Sequence, residues 1–378
     1  MSGAMSQQLP RVFIDARMVG PIPHGFARYV ARMARGLAGV RQKSGGLAYA
    51  PVFIVAGNTP GETFSEFETV RSAVKFLSPT EAVELPRLLT REGAAAYHSP
   101  TFSSLPYCPV PAISTVHDLN HLKFGSAIDR AYYAMLLRPF FRRARAQLTV
   151  SEFSRDELVA WMGISKERIE VVYNAIDAEF SKRPADLAER LSKRGLQAGR
   201  YFLCLSNSKP HKNIPFLIHA YARYRAQVRS GETLWPLVLS LNLGSLPELA
   251  DQPGVLPLGS VSDEDSRALV HGAGAVVFPS LYEGFGLPPV EAIAAGVPVI
   301  VSKIPPHEEG LIDVSEGSAR RLNPRDGEGW AETMASATRG RLELPSQAER
   351  DAVLDRFSVA RLGEHMDRIY RRVLGKEK

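Results

Sequence analysis

Apolar and polar positions alternate along this chain with two periods. Short apolar runs, rich in β-branched and aromatic residues, occur at 11–15, 51–55, 94–98, 112–116, 147–150 and 169–173. Such runs, bounded by polar or turn residues, predict buried strands. Between them, 26–37, 128–146 and 154–162 carry apolar residues at helical spacing. A second alternation begins at Tyr201, with strands over 202–205, 236–241, 255–258, 275–280 and 297–301 and helices over 214–228, 263–271 and 287–295. An amphipathic helix over 358–374 closes the chain. Strands alternating with helices predict α/β architecture with parallel, doubly wound sheets. Residues 180–199 are charged, contain Pro184 and lack a strand pattern, so they read as a linker. The expected domains are 1–185 and 196–357, followed by a terminal helix segment, 358–378.

A length of 378 residues exceeds what one hydrophobic core usually supports, in keeping with two domains. Cys108 and Cys204 form no metal or paired-thiol pattern, and Cys204 reads as a buried thiol in a reducing, cytoplasmic setting. The opening MSGAMSQQLP lacks the basic and apolar regions of a signal peptide. The net charge of +6 suits a nucleoside diphosphate or an anionic membrane touched peripherally at its inner face. No nucleic-acid-binding motif accompanies it, so no nucleic-acid partner is expected. The run 136–147 carries Arg138, Arg142, Arg143 and Arg145 among Leu and Phe. It could meet lipid headgroups, but the commoner arrangement turns the apolar residues inward and leaves the arginines in water. The first strand–loop–helix reads DARMVGPIPHGFARY, without the G-x-G-x-x-G of a dinucleotide site.

Residues 278–301, FPSLYEGFGLPPVEAIAAGVPVIV, are the most informative segment. They form a strand, a glycine-relaxed loop, a helix with Pro288 and Pro289 in its first turn, a closing Gly296 and a second strand. Ligands bind at the carboxyl ends of such strands. Free N–H groups around Gly284, Phe285, Gly286 and Leu287 would open a helix whose dipole favours an anion. Glu283 on the loop can accept from hydroxyls, and Glu291, about one turn into the helix, from a vicinal diol such as a ribose. Taken alone, two glutamates in an E-x7-E pattern are more often solvated charges. The GFGLPP turn between them favours a site. A second loop, LSNSKPHKN (205–213), also follows a strand and precedes a helix. Its Lys209 and Lys212 can neutralise a diphosphate, whereas the bland alternative is a solvated basic loop capped by Asn213.

The E-x7-E segment resembles the signature of the retaining glycosyltransferases of family 4. That resemblance implies a GT-B fold: two facing Rossmann-like domains with a C-terminal helix crossing back to the first. It further implies that Glu291 holds the nucleotide ribose, that Glu283 lies against the donor sugar, and that the amides of Gly284, Phe285, Gly286 and Leu287 bind sugar and diphosphate. Lys212-Asn213 matches the family's diphosphate lysine. Many members carry Arg five residues earlier, where this chain has Asn207 followed by Ser208, so Lys209 or Asn207 would replace that cation. Gly25 and Arg28 match a loop-and-helix start over the donor phosphates, although Ala27 stands where a second glycine is usual. His117, at a strand end, matches a histidine that bonds a donor-sugar hydroxyl. Asp118 is expected only to orient local backbone, and His98 is left open between site and structure. Val261 lies in the segment whose backbone would read the base.

The implied activity is metal-independent transfer of a hexose from a nucleotide sugar to a glycan or lipid-linked acceptor in cell-surface polysaccharide synthesis. The wording KPHKN resembles the mannosyltransferase-rich branch and points to GDP-mannose. Neither a cofactor nor a metal is expected beyond the donor. Two alternatives remain: a nucleotide-sugar epimerase of GT-B architecture, and a non-catalytic nucleotide-sugar-binding regulator.

Overall fold

The computed structural model describes residues 8–21, 24–241 and 252–376. Residues 1–7 of the opening stretch, residues 22–23 of the first glycine-containing loop and the last two residues of segment 358–378 lie outside the described residues. The chain divides into two compact units, Met1–Ala175 with Phe357–Lys378, and Ile176–Arg356.

The first unit is built on seven strands: β1 (Arg11–Asp15), β2 (Ala50–Val55), β3 (Glu68–Arg71), β4 (Ala94–Ser99), β5 (Ala112–Thr115), β6 (Ala146–Thr149) and β7 (Ile169–Val171). They pair in the order β3-β2-β1-β4-β5-β6-β7, and each pairing is parallel. Strand β3, ETVR, was not legible in the sequence, because a mostly exposed edge strand needs no apolar run. The helix Gly25–Ser44 runs past the expected end at 37 and stops at Gly45, in the left-handed region at φ 72°. The terminal helix Val359–Val373 belongs to this unit and buries Leu362, Met366, Ile369 and Tyr370 along one stripe. It crosses Gly25–Ser44 where two glycines meet. A Cβ on Gly36 would stand 2.6 Å from the carbonyl oxygen of Val359 and 2.7 Å from the α-carbon of Gly363.

The single helix expected over 128–146 is broken. Ala127–Tyr132 leads into a wider turn at Tyr133–Leu137, and Arg138–Arg143 follows with Pro139 in its first turn. Proline has no N–H to continue the ladder, and the chain then enters β6 at Ala146. Phe140 and Phe141 are buried while Arg142, Arg143 and Arg145 face water. Arg142 donates to the carbonyl of Met162, and Arg138 lies over the Trp161 ring.

The second unit has six strands: β8 (Phe202–Cys204), β9 (Leu237–Leu239), β10 (Val255–Pro257), β11 (Ala275–Phe278), β12 (Val299–Ser302) and β13 (Ala319–Leu322). Their order is β10-β9-β8-β11-β12-β13, again with every pairing parallel. Residues 180–199 are part of this unit rather than a free linker. Their helix Leu187–Ser192 buries Leu187 and Leu191, and Arg190 of the same helix pairs with Asp265 at 2.9 Å. The charges that suggested a linker are the outer face of a packed helix. In both sheets the strand order reverses beside the first strand, between β1 and β4 and between β8 and β11. Crevices for ligands open at the carboxyl ends of strands at such points.

Candidate active site

In the second unit the reversal brings together two loops that are far apart in sequence. The loop after β8 ends in one turn, Pro210–Lys212, and the helix Ile214–Gln227 follows. The loop after β11 leads through Glu283 to the helix Leu287–Ala294. The amide of Leu281 donates to the carbonyl of His211 at 2.7 Å. Asn213 does not cap its helix. It sits at φ 57°, and its side-chain nitrogen donates to the carbonyls of Pro279 at 3.2 Å and Pro324 at 3.1 Å. The asparagine therefore ties three loops together instead of closing one helix.

Lys212 and Glu283 meet across this junction. The lysine Nζ lies 2.7 Å from one carboxylate oxygen and 2.9 Å from the other, with both side chains about four-fifths buried or more. Burial pushes the Glu283 carboxyl up, but the charges of Lys212 and His307 and hydrogen bonds from Lys212 and Ser280 outweigh it, so its pKa lies below the ordinary value. The Glu283 carboxylate is therefore ionised at neutral pH and is oriented by Lys212 before any ligand arrives.

The turn between the two glutamates needs glycine at Gly286. Its φ is 86°, and a Cβ there would lie 2.9 Å from Cδ2 of His307. His307 was missed in the sequence, where nothing marks SKIPPHEEG as facing the signature. It is buried, and its Nδ1 donates to the carbonyl of Ser302 at 2.9 Å. Its Nε2 has no hydrogen-bond partner among the described residues. Burial holds its pKa below the ordinary histidine value, and the Glu283 charge only partly offsets this. Two signals could have found it: its position just after a strand's carboxyl end, and the two prolines that start its helix.

Other expected residues of this unit fall at the same sheet end. Glu291 is buried on the helix Leu287–Ala294. Gly284 and Phe285 are buried in the turn and Leu287 is half-buried. Asn207, Ser208 and Lys209 are exposed, and Asn207 Oδ1 accepts from the Lys209 amide at 3.1 Å. Val261 follows β10 at the sheet edge, two strands from β8, just before Ser262 caps the helix Asp263–Gly272.

In the first unit, His117 follows β5 and is 9 % exposed. Its Nε2 donates to the carbonyl of Pro100 at 2.9 Å, and its ring packs edge-on to Phe26 and Tyr29. Burial lowers its pKa to about 4, so the ring is neutral at neutral pH and Nδ1 is an acceptor. Asp118 accepts from the Asn120 amide at 2.8 Å, the backbone role expected of it. His98 is structural. It is fully buried, with Nδ1 2.7 Å from the Tyr370 hydroxyl and Nε2 2.9 Å from Thr115 Oγ1. Gly25 opens the helix Gly25–Ser44, and Arg28 is half-buried on its first turn. A Cβ at Gly25 would touch nothing within 4 Å, so packing inside the protein does not demand glycine there. Cys204 is buried in β8 as expected, with its thiol pushed up to about 12 by burial.

Two units with parallel sheets, six strands of which share one order, and with switch-point loops define the GT-B fold. Solved structures agree. A glycosyltransferase from Rickettsia africae aligns over 98 % of this chain and 100 % of its own, at 15 % identity with a TM-score of 0.71. Anabaena Alr3699/HepE in complex with UDP and glucose aligns over 96 % of this chain and 100 % of its own, at 17 % identity with a TM-score of 0.69.

Sequence comparison points the same way. The model of Glycosyltransferase Family 4 matches residues 23–180, and that of Glycosyl transferases group 1 matches 199–339. The two models together fall on both units, so the chain is similar to glycosyltransferases over residues 23–180 and 199–339. The O-antigen chain mannosyltransferase RfbU of Salmonella typhimurium is 32 % identical over 245 residues, 62 % of each chain. O-antigen chain mannosyltransferase B of Escherichia coli is 33 % identical over 262 residues, 62 % of this chain and 66 % of the relative. Each match spans less than two thirds of the relative's length. No helix among the described residues is long and apolar enough to cross a membrane.

Proposed function

We propose that the protein is a retaining hexosyltransferase, using a nucleotide sugar to extend a glycan or lipid-linked acceptor in polysaccharide synthesis. The observation that carries this reading is the Lys212–Glu283 pair at the second switch point, beside the N-terminal end of the helix Leu287–Ala294. Departure of a nucleoside diphosphate concentrates negative charge on its β-phosphate. Lys212 and the Gly284–Leu287 amides face that charge, with Lys209 as a further cation, and such fixed charges and dipoles stabilise the transition state electrostatically. Glu283, already ionised, positions sugar hydroxyls, Glu291 holds the ribose, and Val261 marks the backbone that reads the base. In the first unit, the Nδ1 of His117 accepts from a sugar hydroxyl, and Gly25 leaves room for a ligand. The mannosyltransferase relatives and the KPHKN wording support mannose from GDP-mannose. The charge arrangement supports transfer without a metal.

The test is a thermal-shift panel of GDP, UDP, ADP and dTDP, followed by transfer assays with the matching donor in EDTA. Ligand binding to the folded state raises the midpoint according to affinity. Stabilisation by GDP, and transfer that survives EDTA, are expected. Stabilisation by another nucleotide alone would reject the donor. Activity lost in EDTA and restored by magnesium or manganese would reject the metal-free chemistry. Release of an epimerised sugar nucleotide without acceptor would favour the epimerase alternative.

A further inference from the structure

At the opposite end of the second sheet lies a half-open cavity of about 530 Å³. Gly199, Ala273 and Pro298 line it, and each shortly precedes a strand, β8, β11 and β12 respectively. It therefore sits at the amino ends of the strands, away from Lys212 and Glu283. Three basic side chains line it, Arg183, His271 and Arg350, and no carboxylate does.

Some of this charge answers helix carbonyls, as cations at helix ends commonly do. Arg350 Nε donates to the carbonyl of Ala294 at 3.3 Å, and its NH2 to that of Ser181 at 3.2 Å. A guanidinium has five N–H donors, so these contacts leave others unused. Its fork lies against Gly296, whose Cβ would stand 3.5 Å from the guanidinium carbon. Arg183 is exposed, and no described residue pairs with it. The Nε2 of His271 is buried with no hydrogen-bond partner among the described residues. Burial, opposed by a hydrogen bond to the Phe180 carbonyl and reinforced by the positive charges of Arg183, Arg350 and Arg267, lowers the His271 pKa to about 4. Nearby Glu179 is committed to Lys182 at 2.9 Å and, more distantly, to Arg267 at 3.9 Å. Arg183 and Arg350 thus bring positive charge and unused N–H donors to a cavity whose lining holds no carboxylate.

We propose that this cavity binds a phosphomonoester on a small organic body. Each guanidinium can offer a phosphate paired donors, as arginine commonly does. Val297, Pro298, Pro345 and the 73 % exposed Leu344 form an apolar wall for the organic part. The volume lies within the range of small-ligand sites, about 300–1,000 Å³. The site draws on neither the donor loops nor the reading of the activity.

Calorimetric titration of the full chain with inorganic phosphate and with a hexose 6-phosphate tests this. Saturable binding is expected, tighter for the hexose phosphate. Arg183→Ala and Arg350→Gln should each weaken it at least tenfold, while Lys212→Ala leaves it unchanged. Arg183→Ala removes an exposed side chain with no hydrogen-bond or ion-pair partner among the described residues, so it keeps the test valid if the Arg350 variant fails to fold. Affinity unchanged in Arg183→Ala would overturn the proposal. So would loss in Lys212→Ala alone, which would place the anion at the donor loops. Binding seen only with phosphatidic-acid vesicles, and not with the soluble phosphates, would overturn the small-molecule assignment.

Discussion

At the scale of single residues, the signature turn is held from two sides. Gly286 lies in the left-handed region, and the His307 ring fills the space a side chain would take. Alanine at Gly286 costs about 1–2 kcal/mol in backbone conformation before any contact is counted. The ring cannot swing aside cheaply, because Ser302 holds it. Gly286→Ala should therefore cut turnover at least tenfold while the nucleotide, held further along the helix, still binds. Steady-state kinetics beside nucleotide calorimetry checks this, and unchanged turnover would show that the turn tolerates displacement. Glu291→Ala addresses the ribose role. Loss of hydrogen bonds to a charged acceptor should weaken nucleoside diphosphate binding by roughly 1.5–3 kcal/mol. Equal affinity in mutant and parent would remove Glu291 from the site. Spacing and residue type marked both glutamates, Lys212 and the glycines as candidates, and the structure places them at one sheet end. His307 was not, because its role depends on which strand lies beside β11, and that is a matter of sheet order.

At the scale of elements, the close crossing of Gly25–Ser44 by Val359–Val373 governs the first unit. A Cβ on Gly363 would stand 2.2 Å from the carbonyl carbon of Gly36, a backbone atom with nowhere to move. Gly363→Val should separate the helices and lower stability by about 1–3 kcal/mol or more, the usual cost of overpacking. Urea unfolding reads this out, and an unchanged midpoint would show that the terminal helix contributes little. The amphipathic stripe predicted the helix, but the pairing of Gly36 with Gly363 could not be read from either helix alone. The strands missed in the sequence, β3 and β13, share a cause. Each lies at an edge of its sheet and carries polar residues, ETVR and ARRL, so the apolar signal is weak. The linker over 180–199 was misread for a related reason: two buried leucines suffice to dock a short helix whose other face is charged.

At the scale of the whole molecule, buried histidines set a pH window. Burial lowers the His98 pKa to about 3 and that of His117 to about 4. The unfolded chain protonates them near their ordinary value, about 6.5. As pH falls from there, the unfolded state binds protons that the folded state refuses, and stability drops until the folded pKa values are reached. Glu170 contributes in a separate, lower window. Burial raises its pKa, but hydrogen bonds from His365 and Arg372 outweigh this and hold it at about 2. Its stabilisation is complete above the ordinary carboxylate value and is lost as pH falls toward 2. The urea midpoint should therefore fall between pH 7 and pH 5, and a His98→Asn, His117→Asn variant should show a flatter profile over that range. A flat profile in the parent protein would contradict the burial of these rings. The sequence by itself determined the alternating α/β class, two units and the buried strands, and it marked the E-x7-E loop as a candidate site. These follow from local periodicity and from residue types that suit only a few backbone environments. Tertiary structure alone decided the strand orders, and with them which loops meet. Lys212 and Glu283 are 71 positions apart, and they meet because β8 and β11 lie side by side. Such adjacency is set by long-range packing, and no window of sequence contains it.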